Sequence, residues 1–123
     1  MMYCIFMYIY TMYSKELLKG TLSVIILNLL AENDRMYGYE IFKKVKELSD
    51  EKILLKDGSL YPALQKMAKD GLLSFEEVHI GKRVRKYYFL TPTGKKEKSR
   101  HLDELRDFID TLNKVVFNQL KPI

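Results

Sequence analysis

The hydrophobic period of this chain changes at Gly71. Upstream, apolar residues return every three or four positions, as on one face of an α-helix. Downstream come two short runs rich in β-forming side chains, Leu72 to Val78 and Val84 to Leu90, separated by His79, Ile80, Gly81, Lys82 and Arg83. Helices on either side of one two-stranded hairpin make the fold mainly α with a small β-hairpin, an α+β class.

From Lys15, the residues Leu18, Leu22, Ile25, Ile26, Leu29 and Leu30 stand at the spacings of one apolar face. They predict a first helix that ends near Ala31, before the polar cluster Glu32, Asn33 and Asp34. A second helix is predicted from about Tyr37 to Leu48, with Ile41, Phe42, Val45 and Leu48 on its apolar side and Gly38 near its start allowing close backbone approach. Ser49 to Lys56 form a polar link with one apolar stretch, Ile53 to Leu55. The third helix begins after Gly58, with Ser59 as N-cap and Leu60, Ala63, Leu64 and Met67 on the buried side. Pro62 then falls in the first turn, where backbone N–H groups have no intrahelical partner and a missing donor costs little. Gly71 stops this helix.

After the hairpin, Thr91 caps a last helix whose first residue is Pro92 and which continues to about Leu120. Its apolar residues Leu102, Leu105, Ile109, Leu112 and Val116 repeat at intervals of 3, 4, 3 and 4, a heptad seam suited to a partner helix. Helix, helix, helix, hairpin, long helix is the order of a winged helix-turn-helix with a C-terminal dimerisation helix. In that plan the third helix enters the major groove of DNA and the hairpin reaches the neighbouring backbone. The expected division is an apolar N-terminal extension over residues 1–14, a winged-helix DNA-binding domain over 15–91 and a dimerisation helix over 92–123.

With 123 residues, 47% of them hydrophobic, the chain has the material for one packed domain. Its net charge of +5 favours an anionic partner. The location of that charge is more telling: Lys56 to Arg100 hold eleven Lys and Arg against five Asp and Glu, a net of +6, leaving the remainder near −1. If Leu60, Leu64 and Met67 face the core, Ser59, Tyr61, Pro62, Gln65, Lys66 and Lys69 project outward. Gln65 suits an adenine edge, Lys66 a guanine edge or a phosphate, and the Ser59 and Tyr61 hydroxyls can donate to phosphate near the helix N-terminus. The plainer alternative is an ordinary solvated helix face. In the hairpin, Lys82, Arg83, Arg85 and Lys86 put four cations in five positions, which repel one another unless a polyanion or solvent screens them. Here the alternative is an edge strand guarded by charge against aggregation.

Five strings carry a further indication: Leu18-Lys19-Gly20-Thr21-Leu22; Tyr37-Gly38-Tyr39-Glu40-Ile41; Asp57-Gly58-Ser59-Leu60-Tyr61-Pro62-Ala63-Leu64; Asp70-Gly71-Leu72-Leu73; and Lys86-Tyr87-Tyr88 leading to Leu90-Thr91-Pro92-Thr93-Gly94. In order and spacing they resemble the PadR family of transcriptional regulators, over about Lys15 to Phe117. The resemblance implies a homodimer whose winged helix binds an inverted repeat in double-stranded DNA, with the last helix packed with the first to form the dimer. The family commonly acts as repressors, and many members release DNA when a small aromatic or cationic compound, or a signal on the cell envelope, is sensed. By motif position it puts Tyr37 and Tyr39 at the opening of the second helix, Ser59, Tyr61 and Pro62 at the opening of the recognition helix, and Arg83, Arg85 and Lys86 in the wing. A single C-terminal helix resembles the family's short members, some of which stack flat aromatic compounds between Trp side chains at the dimer centre. This sequence has no Trp, which leaves Phe108 and Phe117 as aromatic candidates against a plain core role. Winged-helix regulators of the MarR or ArsR kind lack the GSLYPAL string.

The residues do not predict an enzyme, a metal site or a cofactor. His79 and His101 have no Cys near them to complete a zinc set. Glu76 and Glu77, adjacent in a strand, point to opposite faces and cannot share one substrate as an acid–base pair. There is no Gly-rich phosphate loop. The single cysteine, Cys4, excludes an internal disulfide and makes a reducing cytoplasm the default. The uncharged opening MMYCIFMYIYTMY is shorter than the ~20 residues that span a bilayer and lacks the features of a secretory signal, so membrane insertion is not expected. It reads either as an apolar segment packed on the dimer or as an extension ahead of a start at Met12. The competing functional reading is a winged-helix protein–protein interaction module that does not bind DNA.

Overall fold

The computed structural model describes residues 13–118; the apolar extension before Tyr13, with Cys4, and the last five residues lie outside the described residues. The element order is α1 (Lys15–Lys19), α2 (Leu22–Glu32), α3 (Gly38–Leu48), α4 (Asp57–Lys69), β1 (Leu73–Ile80), β2 (Arg83–Leu90) and α5 (Pro92–Phe117). The core gathers Ile26, Leu27, Leu29 and Leu30 of α2, Ile41 and Val45 of α3, Leu60, Leu64 and Met67 of α4, and Leu73, Tyr88 and Leu90 of the hairpin, with Met36 and Leu55 from the connections.

The single first helix read from periodicity is broken at Gly20–Thr21. The backbone N–H and the side-chain hydroxyl of Thr21 both donate to the Leu18 carbonyl, at 3.0 and 3.1 Å. Such local hydrogen bonding offers the backbone an alternative to the helical ladder, so α1 closes and α2 starts afresh. On α3, Leu48 does not join the core; it is 66% exposed. Asp50 and Glu51 adopt positive φ, and the Glu51 N–H returns to the Lys46 carbonyl at 2.8 Å. This turn carries the link back across the end of the helix, and Leu55 of the link enters the core instead.

Helix α4 starts earlier than the Ser59 cap predicts. The Lys56 carbonyl accepts from both Ser59 and Leu60 N–H at 2.9 Å, making Lys56 the N-cap and Ser59 the third helical residue. Pro62 consequently lies in the second turn, not the first, where its ring removes the N–H that would reach the Gly58 carbonyl. The helix tolerates this because Gly58 is exposed, with nothing within 4 Å of where its Cβ would be. At the other end Gly71, at φ +81°, closes a Schellman motif in which its own N–H reaches Ala68 and that of Leu72 reaches Met67, at 3.1 and 3.0 Å.

Strands β1 and β2 pair antiparallel from Leu73 with Leu90 to Ile80 with Arg83. The five-residue link expected between the strands is therefore a two-residue turn, Gly81-Lys82, with His79, Ile80 and Arg83 inside the ladder. Gly81 at φ +62° supplies the positive φ that the first position of a tight hairpin turn requires. A one-residue third strand joins the hairpin where Met36 and Tyr88 exchange two backbone hydrogen bonds, of 3.0 and 2.8 Å.

One small junction fastens α4, the hairpin and α5 together. The Thr91 side chain caps α5 by accepting from the Gly94 N–H at 3.0 Å. Its hydroxyl also lies 2.6 Å from the Gly71 carbonyl, while its N–H donates to that of Leu72 at 3.1 Å. Gly94 is buried in this junction, and a Cβ there would stand 2.1 Å from the Leu72 carbonyl oxygen. Because the obstruction is backbone, Gly94→Ala is expected to destabilise the fold by ~1–3 kcal/mol or more, measured as a lowered urea midpoint.

Candidate nucleic-acid interface

Burial of Leu60, Leu64 and Met67 fixes which side of α4 looks outward. Gly58, Pro62, Gln65 and Lys69, spaced 4, 3 and 4 apart, form an exposed ridge on the opposite side. The other predicted contact residues divide between its two flanks. Tyr61 leans toward α3, where its ring tip covers Gly38 so closely that a Cβ there would lie 2.7 to 2.9 Å from three of its atoms. Burial pushes the phenol of Tyr88 above its ordinary pKa, and the nearby Tyr61 adds to the shift. Ser59 and Lys66 lie on the far flank, lining a groove with Leu18, Leu22 and Leu54. There the Lys66 ammonium pairs with Asp70 at 2.9 Å, so its charge is partly engaged.

The wing cations also divide. Side chains alternate across a strand, so Arg83, Arg85 and Tyr87 share one face of β2 while Lys86 and Tyr88 share the other. Lys82, in the turn, and Arg83, beside it, are exposed. The Arg85 guanidinium lies 4.4 Å above the Tyr37 ring, and hydrogen bonding to Tyr87 raises its pKa further above its already high ordinary value. Lys86 sits 4.7 Å over Phe75. Tyr37 itself is the half-buried N-cap of α3, its N–H donating to the Glu40 carboxylate at 3.2 Å. Tyr39, two residues on, is 58% exposed.

Sequence reasoning missed Arg35. It pairs with Glu76 and lies 4.6 Å over the ring of Tyr87. Its signal was present but latent: extended backbone puts residues 35 and 37 on one side, which becomes informative only once Met36 is known to pair with Tyr88. Along α5, Leu102 and Leu105 are half-buried within the protomer, while Ile109, Leu112 and Val116 are exposed together with Phe108, Val115 and Phe117.

Two helices joined by a turn, an outward ridge bearing Gln65 and Lys69 on the second and a cation-tipped hairpin after it define a winged helix-turn-helix protein. The sequence profile of the Transcriptional regulator PadR-like family matches residues 26–100. An uncharacterised protein of Lysinibacillus sphaericus is 32% identical over 104 residues, covering 80% of this chain and 94% of that protein. A transcriptional regulator from Clostridium thermocellum superposes with a TM-score of 0.76 at 32% identity, covering 82% of this chain and 98% of that one. A PadR-like transcriptional regulator from Bacillus cereus does so with a TM-score of 0.69 at 27% identity, covering 88% and 99%. The chain belongs to the PadR family: it is a transcriptional regulator and not an enzyme. Among the described residues, no helix is long and apolar enough to cross a membrane.

The Gly38–Tyr61 contact gives a testable asymmetry with Gly94. The obstruction at Gly38 is a side-chain tip that can swing aside, whereas at Gly94 it is backbone. Gly38→Ala is thus expected to leave the thermal midpoint nearly unchanged while weakening duplex binding through the displaced Tyr61. Adding Tyr61→Ser should make no further difference to affinity, as read in a double-mutant cycle.

Proposed function

We propose that this chain binds DNA sequence-specifically as a homodimer on an inverted repeat, acting as a repressor. The observation that carries this reading is the exposed α4 ridge, Pro62, Gln65 and Lys69, on a helix in contact with β1 of a hairpin whose tip presents Lys82 and Arg83. A ridge with one amide and one ammonium is suited to base edges in a major groove, and the tip is suited to flanking phosphate. Two copies are needed for an inverted repeat, and the uncovered apolar stripe Ile109, Leu112 and Val116 supports pairing through α5. Relief by an aromatic or cationic small molecule completes the reading. A groove of about 700 Å³ runs behind α4, with Leu18, Leu22, Leu54 and Ala63 as apolar walls suited to an aromatic ring, its carboxylate, Asp70, being paired with Lys66.

Selection of bound duplexes from a random pool tests the central claim. The expected product is a palindrome whose affinity falls steeply with salt, and the variant combining Lys82→Ala, Arg83→Ala, Arg85→Ala and Lys86→Ala should lose that affinity. No enrichment, or retention by the quadruple variant, would refute DNA binding by this surface. For the dimer, Ile109→Asp with Leu112→Asp is expected to give a folded monomer by light scattering, with duplex affinity reduced by at least an order of magnitude because one half-site is lost.

A further inference from the structure

The root of the wing holds an arrangement that packing the core does not require. Met36 lies in extended backbone paired with Tyr88, so the side chains before and after it, Arg35 and Tyr37, fall on the same side as Arg85 and Tyr87 of β2. The four interleave. Arg35 lies 4.6 Å over Tyr87, the rings of Tyr87 and Tyr37 meet edge to face at 5.3 Å, and Arg85 lies 4.4 Å over Tyr37. A carboxylate stands at each end. Glu76, the cross-strand partner of Tyr87, holds Arg35, while Glu40 is fixed by the Tyr37 N–H and attracts Arg85.

This ladder joins the wing to the start of α3, and α3 is joined in turn to α4 through the Tyr61 ring lying on Gly38. Guanidinium planes over ring faces are geometrically demanding, so the ladder restricts how the hairpin can tilt. Tilt sets where Lys82 and Arg83 stand relative to the α4 ridge.

We propose that Arg35, Tyr87, Tyr37 and Arg85 are positioning residues that fix the wing angle, and that within the wing phosphate is contacted by the exposed cations Lys82, Arg83 and Lys86 and not by Arg85. The inference rests on the DNA-binding reading and deepens it. It removes Tyr37 and Arg85 from the direct contacts that motif position implies, and it adds Arg35 and Tyr87 to the residues that control affinity.

The salt dependence of duplex binding separates position from contact. Each phosphate contact contributes about 0.9 to the slope of log affinity against log salt. Arg83→Gln is expected to lower that slope by about 0.9 per wing. Arg85→Gln and Tyr37→Leu should leave the slope unchanged while weakening binding roughly two- to fivefold per wing, the range of an exposed cation–π contact. Tyr37→Phe keeps the ring and should bind like the parent. Arg85→Lys keeps the charge but not the planar stacking, and should weaken binding nearly as much as Arg85→Gln.

A slope reduction in Arg85→Gln equal to that in Arg83→Gln, full affinity in Arg85→Lys, or equal losses in Tyr37→Phe and Tyr37→Leu would each overturn the proposal by showing direct contact. Near-UV circular dichroism of the tyrosines, taken without DNA, checks the ladder itself. Arg85→Gln should alter it at unchanged far-UV signal, and an unaltered spectrum overturns the ladder. A parent chain that binds no duplex overturns the DNA reading instead, a failure distinguishable by this DNA-free spectrum.

Discussion

Burial of Leu60, Leu64 and Met67 against the apolar sides of α2 and α3 is the constraint on which the outer surface depends. Leu60 and Leu64 are almost wholly inaccessible, as are Ile26 and Ile41 in the same core, so α4 cannot rotate without opening a cavity. Once it is locked, the helical period alone turns Pro62, Gln65 and Lys69 outward. The energy comes from apolar surface removed from water; the specificity of the exposed face follows as a geometrical consequence.

Polar contacts then do what the core cannot. The Thr91 hydroxyl, the Leu72 carbonyl and the missing side chain of Gly94 bring the end of α4, the end of β2 and the start of α5 to one point. The hairpin gains a third backbone partner at Met36. A hairpin alone in water is marginal, so these attachments let the wing project from the core with a defined position. Its root is neutralised by Glu76 and Glu40, while positive charge at Lys82 and Arg83 remains open to solvent. Such a separation directs the field outward from the tip.

Much of this organisation was legible in the chain. Helix periods, the stop at Gly71, the β-rich run around Tyr87 and Tyr88, and the cap and N1 proline of α5 rest on interactions between residues a few positions apart, which spacing encodes. The errors have equally local causes. Thr21 takes the Leu18 carbonyl out of the helical ladder and splits the first helix. Lys56 caps α4 where Ser59 was expected to, which moves Pro62 into the second turn. Leu48 loses its core seat when the link folds back with Leu55. In each case two conformations satisfied the apolar spacing, and local hydrogen bonds that this spacing does not encode accompany the one adopted.

The sequence by itself determined the order of elements, the outward basic character of the third long helix and wing, and the apolar stripe of α5, because burial period and charge are written residue by residue. Only the tertiary structure decided how those charges are used. It set Lys86 over Phe75 and Arg85 over Tyr37, and it recruited Arg35 to Tyr87 across more than fifty positions of chain. Those pairings depend on which strand lies beside which helix terminus, a distance set by folding and absent from local spacing. The four cations of the wing, alike in sequence, therefore have different neighbours in space.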